Sequence, residues 1–148
     1  SSAGKSEAEF KKLTYDYTMS LVNALASEKE NMIITYVSGR GTDSTEKGKV
    51  MWARVKGKTE NDILSAGFKG AYMYRPNAII PLRGIKSKTK LYQFMYDYFL
   101  WAIKLVKKMN PTSVVNTTQI GLSMIEIVKD GNSKEVLESG DILESVNG

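Results

Sequence analysis

Met32-Ile33-Ile34-Thr35-Tyr36-Val37, running into Ser38-Gly39-Arg40-Gly41-Thr42-Asp43-Ser44, is the stretch that decides the fold. Its first six residues are rich in β-branched and aromatic types and do not alternate with polar ones. That predicts a strand covered on both faces, as in a parallel sheet. The seven residues that follow are turn formers, a loop at the strand's carboxyl end. Upstream, Ser6 and Glu9 have the spacing of a capping box, and Phe10, Leu13, Tyr17, Leu21 and Leu25 recur every three or four residues. The pattern predicts a helix over 6–27 with one apolar face. Downstream it predicts a helix over 50–64, a strand over 69–75 halted by Pro76, and a basic turn with Arg83, Lys86, Lys88 and Lys90. An aromatic-rich helix over 91–109 stops before Pro111, a further helix runs from Thr117 or Thr118 to about Lys129, and a short strand covers 135–138. Helices alternating with buried strands make an α/β protein of right-handed βαβ units. At 148 residues the chain has room for one domain, and no repeat, low-complexity tract or linker divides it.

Composition removes whole classes of chemistry. The chain has no cysteine and no histidine, so Cys nucleophiles, disulfides, thiolate zinc sites, Ser-His-Asp relays and His-ligated metals are excluded. Proton chemistry falls to Tyr, Lys, Asp and Glu. There are 21 basic and 16 acidic residues, a net charge of +5, which favours anionic partners. The lysines are scattered and do not interleave with aromatics in a recognisable motif, so nucleic acid is not the expected partner. No stretch approaches the roughly 18 apolar residues of a membrane span, and the amino terminus does not read as a secretory signal. A cytoplasmic protein is expected.

In parallel α/β sheets chemistry gathers at the carboxyl ends of the strands, which singles out Ser38. On the next helix, Met51-Trp52-Ala53-Arg54-Val55-Lys56 places Trp52 and Lys56 four apart on one face. Taken singly, Ser38 suits a turn, and a Trp and a Lys on one face suit packing beside a solvated charge.

Together these residues resemble the Ser, Tyr-x-x-x-Lys arrangement of the short-chain dehydrogenase/reductase superfamily, closest to its NAD-dependent epimerase/dehydratase branch and atypical members. The likeness runs through Tyr36-Val37-Ser38-Gly39, Lys56-Gly57-Lys58-Thr59-Glu60, Tyr74-Arg75-Pro76-Asn77 and the helix over 117–128, and so covers nearly the whole chain. It implies the carboxyl-terminal portion of a Rossmann-like doubly wound parallel sheet, with roughly three parallel strands and four principal helices. It also implies an NAD- or NADP-dependent epimerase/dehydratase-like or reductase-like activity on a small molecule. By the resemblance Ser38 donates to a substrate oxygen, Lys56 holds a nicotinamide ribose, and Arg75, Pro76 and Asn77 lie by the cofactor.

The sequence departs from the family in two ways. The amino-terminal strand, its Gly-rich turn and the first helices have no counterpart, and Gly39-Arg40-Gly41 lacks the third glycine. The chain therefore reads as the later part of a longer polypeptide, which alone would hold the cofactor weakly. The strand over 32–37 would then offer an apolar edge to the missing amino-terminal half or to a second copy. Trp52 stands where the family has tyrosine, and an indole N–H donates a hydrogen bond but yields no proton near neutral pH. Either Tyr72, Tyr74 or Asp43 carries the proton, or the fold is a catalytically silent nucleotide-binding or assembly module. The basic turn and the aromatic helix over 91–109 suit a core helix, the substrate-side region, or a peripheral contact with an anionic membrane.

Overall fold

A computed structural model describes residues 2–80, 112 and 114–147. They divide into two compact units, Ser1–Arg75 with Ser133–Val136, and Pro76–Asn132 with Leu137–Gly148. The basic turn of Arg83, Lys86, Lys88 and Lys90 and the helix expected over 91–109 lie outside the described residues.

The first unit opens with α1 (Glu7–Lys11), capped as the spacing predicts: Ser6 Oγ accepts from the Glu9 N–H at 3.3 Å, and the Glu9 carboxylate accepts from the Ser6 N–H at 2.8 Å. A π-helical turn (Lys12–Asp16) interrupts the helix before it resumes as α2 (Tyr17–Ala24). Lys11 and Asp16, five residues apart, pair across the widened turn at 2.6 Å. The turn changes which face is buried. Phe10 and Val22 are enclosed, whereas Leu13, Tyr17 and Leu21 of the expected apolar face stay 50%, 58% and 59% exposed. In an unbroken helix Phe10 and Val22 would sit about 120° apart, at 100° per residue. One extra residue in the turn takes up about 100° of that and brings them into line.

A single 3₁₀ turn (Lys29–Asn31) leads into β1 (Ile33–Val37), and α3 (Met51–Leu64) crosses to β2 (Gly70–Arg75). The strands are parallel, in register from Ile33 opposite Gly70 to Val37 opposite Tyr74. This is the expected β–α–β unit, but β1 is only half-buried and ends on the exposed Val37, so it is not covered on both faces; β2 is the buried strand. Met73 N–H donates to Glu135 O at 2.7 Å, bringing the Ser133–Val136 return to the other edge of β2. With β5 (Val136–Glu138) the strand order is β1-β2-β5, so among the described residues β1 has one free edge. Val22, Ile63, Ala71 and Met73 form the centre of this unit's core.

In the second unit β3 (Ala78–Ile80) pairs in parallel with β4 (Val114–Asn116), two short strands that composition does not announce. Helix α4 (Thr117–Asp130) starts at a second capping box, in which Asn116 and Gln119 satisfy each other's backbone N–H at 2.8 and 2.9 Å. It ends at Gly131, whose φ of 75° suits glycine. Helix α5 (Ser139–Asn147) follows β5. Parallel strands flanked by helices make this an α/β protein, compatible with part of a Rossmann-like fold. Among the described residues no helix is long and apolar enough to cross a membrane.

Candidate functional site

The carboxyl ends of β1 and β2 and the facing side of α3 meet at one cluster in the first unit. Strand β1 delivers Ser38, whose N–H extends the ladder by donating to Tyr74 O at 2.9 Å. The chain then turns through Gly39 and Gly41, both at positive φ, and Thr42 Oγ1 donates back to Gly39 O at 2.7 Å. From there the loop is fastened to α3. Asp43 N–H donates to Ala53 O at 3.1 Å, Asn61 Nδ2 donates to Ser44 O at 3.0 Å, and Arg54 donates to Gly48 O at 2.7 Å. The approach is so close that a Cβ on Gly57 would lie 1.8 Å from Asp43 O, so only glycine fits there.

Asp43 is committed to this loop. Its carboxylate accepts from the Thr45 hydroxyl at 2.6 Å, the Gly48 N–H at 2.6 Å and the Thr45 N–H at 3.0 Å. The Thr45 and Gly48 bonds hold its carboxyl below the usual range, so the charged form is locked in place.

On α3, positions 52, 56 and 60 recur every four residues and share a face. The Trp52 ring lies against the loop, 3.5 Å from where a Cβ on Gly41 would be. Lys56 Nζ donates to Ser38 O. Its half-buried setting pushes the ammonium below the usual lysine range, and the nearby charge of Glu60 opposes that push. Glu60 itself is fully buried. Its carboxylate accepts the Ser38 hydroxyl proton, and Arg75, from the end of β2, clamps both of its oxygens through Nε at 3.1 Å and adds a bond from a terminal nitrogen. That guanidinium also donates to Ser44 Oγ at 2.5 Å, tying β2, α3 and the loop together. The Ser38 hydroxyl has a second acceptor, Tyr74 O, at 3.2 Å. On the same strand as Ser38, burial pushes the Tyr36 phenol above its usual range, against the effect of a hydrogen bond with Thr59.

The structure therefore brings Ser38 and Lys56 together and sets Trp52 against the loop between them. Arg75 is engaged by Glu60 and Ser44. Pro76 and Asn77 belong to the second unit, where the Asn77 N–H donates to Ser139 Oγ at 2.9 Å. Tyr72 and Tyr74 are both buried within β2. Residue types alone do not single out Glu60 or Ser44. A signal for Glu60 was nevertheless present: it continues the Trp52–Lys56 face by one more turn, and an arginine closes the neighbouring strand.

Chemically, the cluster offers a cation and hydrogen-bond donors. An ammonium carries three N–H donors and Ser38 O takes one, so Lys56 keeps donors for the oxygen acceptors of a ligand. A hydroxyl has one proton, and that of Ser38 is already given to Glu60. Among the described residues no group of three acidic side chains gathers as a metal-holding set. No family model matches the chain, and no curated protein matches it.

Proposed function

We propose that this chain is part of an NAD(P)-dependent epimerase/dehydratase-like or reductase-like protein of the short-chain dehydrogenase/reductase type, acting on a small molecule. The observation that carries the reading is the convergence of Lys56 on Ser38 at the carboxyl end of β1, where a parallel sheet presents its ligands. In this role Lys56 binds the ribose hydroxyls of the nicotinamide half, and Trp52 backs the loop that follows Ser38. The bound nicotinamide would supply hydride chemistry, while the chain's own part is to bind and orient. The edge of β1 that is free among the described residues fits pairing with a further strand, from an amino-terminal half or from a second copy.

The test is thermal stability of the chain joined to the Gly-rich half that the resemblance implies, with and without NAD(H) and NADP(H). A cofactor at a hundred times its dissociation constant stabilises by about 2.7 kcal/mol, an easily measured rise in Tm. Absence of any rise at millimolar concentration of all four forms would overturn the reading.

A second reading, a catalytically silent nucleotide-binding or assembly module, is favoured by one specific observation. The Ser38 hydroxyl is spent on Glu60, and the Trp52 indole has no proton to exchange near neutral pH. A reductase assay on wild type, Trp52→Tyr and Lys56→Ala separates the two. Turnover by wild type that Lys56→Ala abolishes removes the silent module, and turnover that appears only with Trp52→Tyr supports it.

A further inference from the structure

Glu60 is a carboxylate with no exposure to solvent, in a unit whose other fully buried large side chains are mostly apolar. Such a group persists only where its charge and lone pairs are satisfied. Its partners are all at the site. Arg75 supplies the compensating charge from β2, and the Ser38 hydroxyl supplies a further donor from β1. One helical turn earlier Lys56 grips the same serine by its backbone carbonyl. Ser38 is thus held from α3 at two points, side chain by Glu60 and main chain by Lys56.

We propose that Glu60 is the positioning residue of this site: a buried carboxylate that fixes the rotamer of Ser38 and sets the charge environment of Lys56, with Arg75 as its counter-ion. The role rests on reading Ser38 and Lys56 as ligand contacts, but its test does not require that a cofactor bind. With its O–H donated to Glu60, Ser38 offers a ligand lone pairs only, so a group meeting it there must itself be a donor, such as an alcohol or an amide N–H. Among the described residues the charged groups around Lys56 are Glu60 on its own helix and, beyond Glu60, Arg75 at the end of β2. Of these, Glu60 is the one whose charge acts on the ammonium.

The experiment measures the pH profile of Lys56 modification in the full chain, by reductive methylation with labelled formaldehyde and peptide mapping. Wild type is compared with Glu60→Gln and Glu60→Asp. The expected result is a Lys56 midpoint moved to lower pH in Glu60→Gln, because burial then acts unopposed, and moved back toward wild type in Glu60→Asp, which restores the charge. A midpoint unchanged or raised in folded Glu60→Gln overturns the proposal, since a purely structural carboxylate would leave the lysine untouched. If Glu60→Gln does not fold, because Arg75 loses its Glu60 counter-ion, the double change Glu60→Gln with Arg75→Met serves instead. The same downward shift is expected there, and its absence overturns the proposal equally. Nicotinamide cofactor binding is recorded in parallel on wild type joined to the Gly-rich half. Its absence would remove the functional reading, while the Lys56 profile would still decide the role of Glu60.

Discussion

Helix α3 and the π-interrupted helix of α1 and α2 belong to the same unit and are buried by different means. The amino-terminal helix carries a clear apolar stripe, yet it encloses only Phe10 and Val22 and leaves Leu13, Tyr17 and Leu21 half out. Helix α3 is poor in large apolar residues and buries Ala53, Val55, Gly57, Thr59, Glu60 and Ile63. The amino-terminal helix is placed by the phase of its apolar side chains, and one π turn resets that phase. Helix α3 is placed by backbone proximity to the loop over 42–48 and by a buried ion pair. The comparison shows that within one β–α–β unit one helix can be placed by steric fit and charge while the helix packed beside it is placed by the phase of its apolar side chains.

The sharpest way to break this contrast is Gly57→Ala. In an exposed helix position alanine would be favoured over glycine by about 1 kcal/mol. Here its Cβ would fall 1.8 Å from the Asp43 carbonyl oxygen, a backbone atom that cannot swing aside. The expected outcome is a loss of about 3 kcal/mol or more, beyond ordinary overpacking, measured by urea unfolding. Unchanged or increased stability would show that the loop does not rest on α3 and would dissolve the distinction between the two helices.

Two neighbouring residues sharpen the other half of the comparison. Val22→Ala empties a fully enclosed position and should cost about 2 kcal/mol, whereas Leu21→Ala, one residue before it, should change stability by less than about 0.5 kcal/mol. In an unbroken helix following the apolar stripe the order would be reversed. Equal losses at both positions would mean that a partner covers the outer face.

These assignments show how far the sequence could be read. Strands β1 and β2, helix α3 and its parallel crossover follow from residues 32–37, the turn formers after them and the stop at Pro76. The meeting of Ser38 and Lys56 follows from their places on successive elements. The exposed face of the first helix did not follow, because a π turn leaves the three- and four-residue spacing of apolar side chains intact while rotating what comes after it. Nor did β3 and β4, which are three residues each and take their pairing from tertiary context. Glu60 was hidden for a different reason. A glutamate on a helix is ordinarily a solvated charge, and only the arrival of Arg75 from another element makes its burial affordable.

The smallest expected effect concerns pH and tests whether burial of the α3 face reaches Lys56. Its ammonium has a lowered pKa in the folded protein because burial penalises the charge, so over the interval just below the unfolded value of about 10.4 the unfolded chain binds more protons. Stability contributed by this group therefore rises as pH climbs through that interval, and the penalty is fully present at neutral pH. Lys56→Met removes both the penalty and the rise. The variant's stability profile should climb less than that of wild type as pH approaches the unfolded value. Tyr15 and Tyr36 act in the opposite sense, because their phenols are pushed above the usual range, chiefly by the Tyr15 bond to Asp62 and by the burial of Tyr36. Their contribution is lost only above about pH 10, so denaturant midpoints between about pH 7 and 10 isolate the lysine. Parallel profiles for wild type and Lys56→Met over that range would place the ammonium in water. The face of α3 would then be polar packing, with no strained charge at its centre.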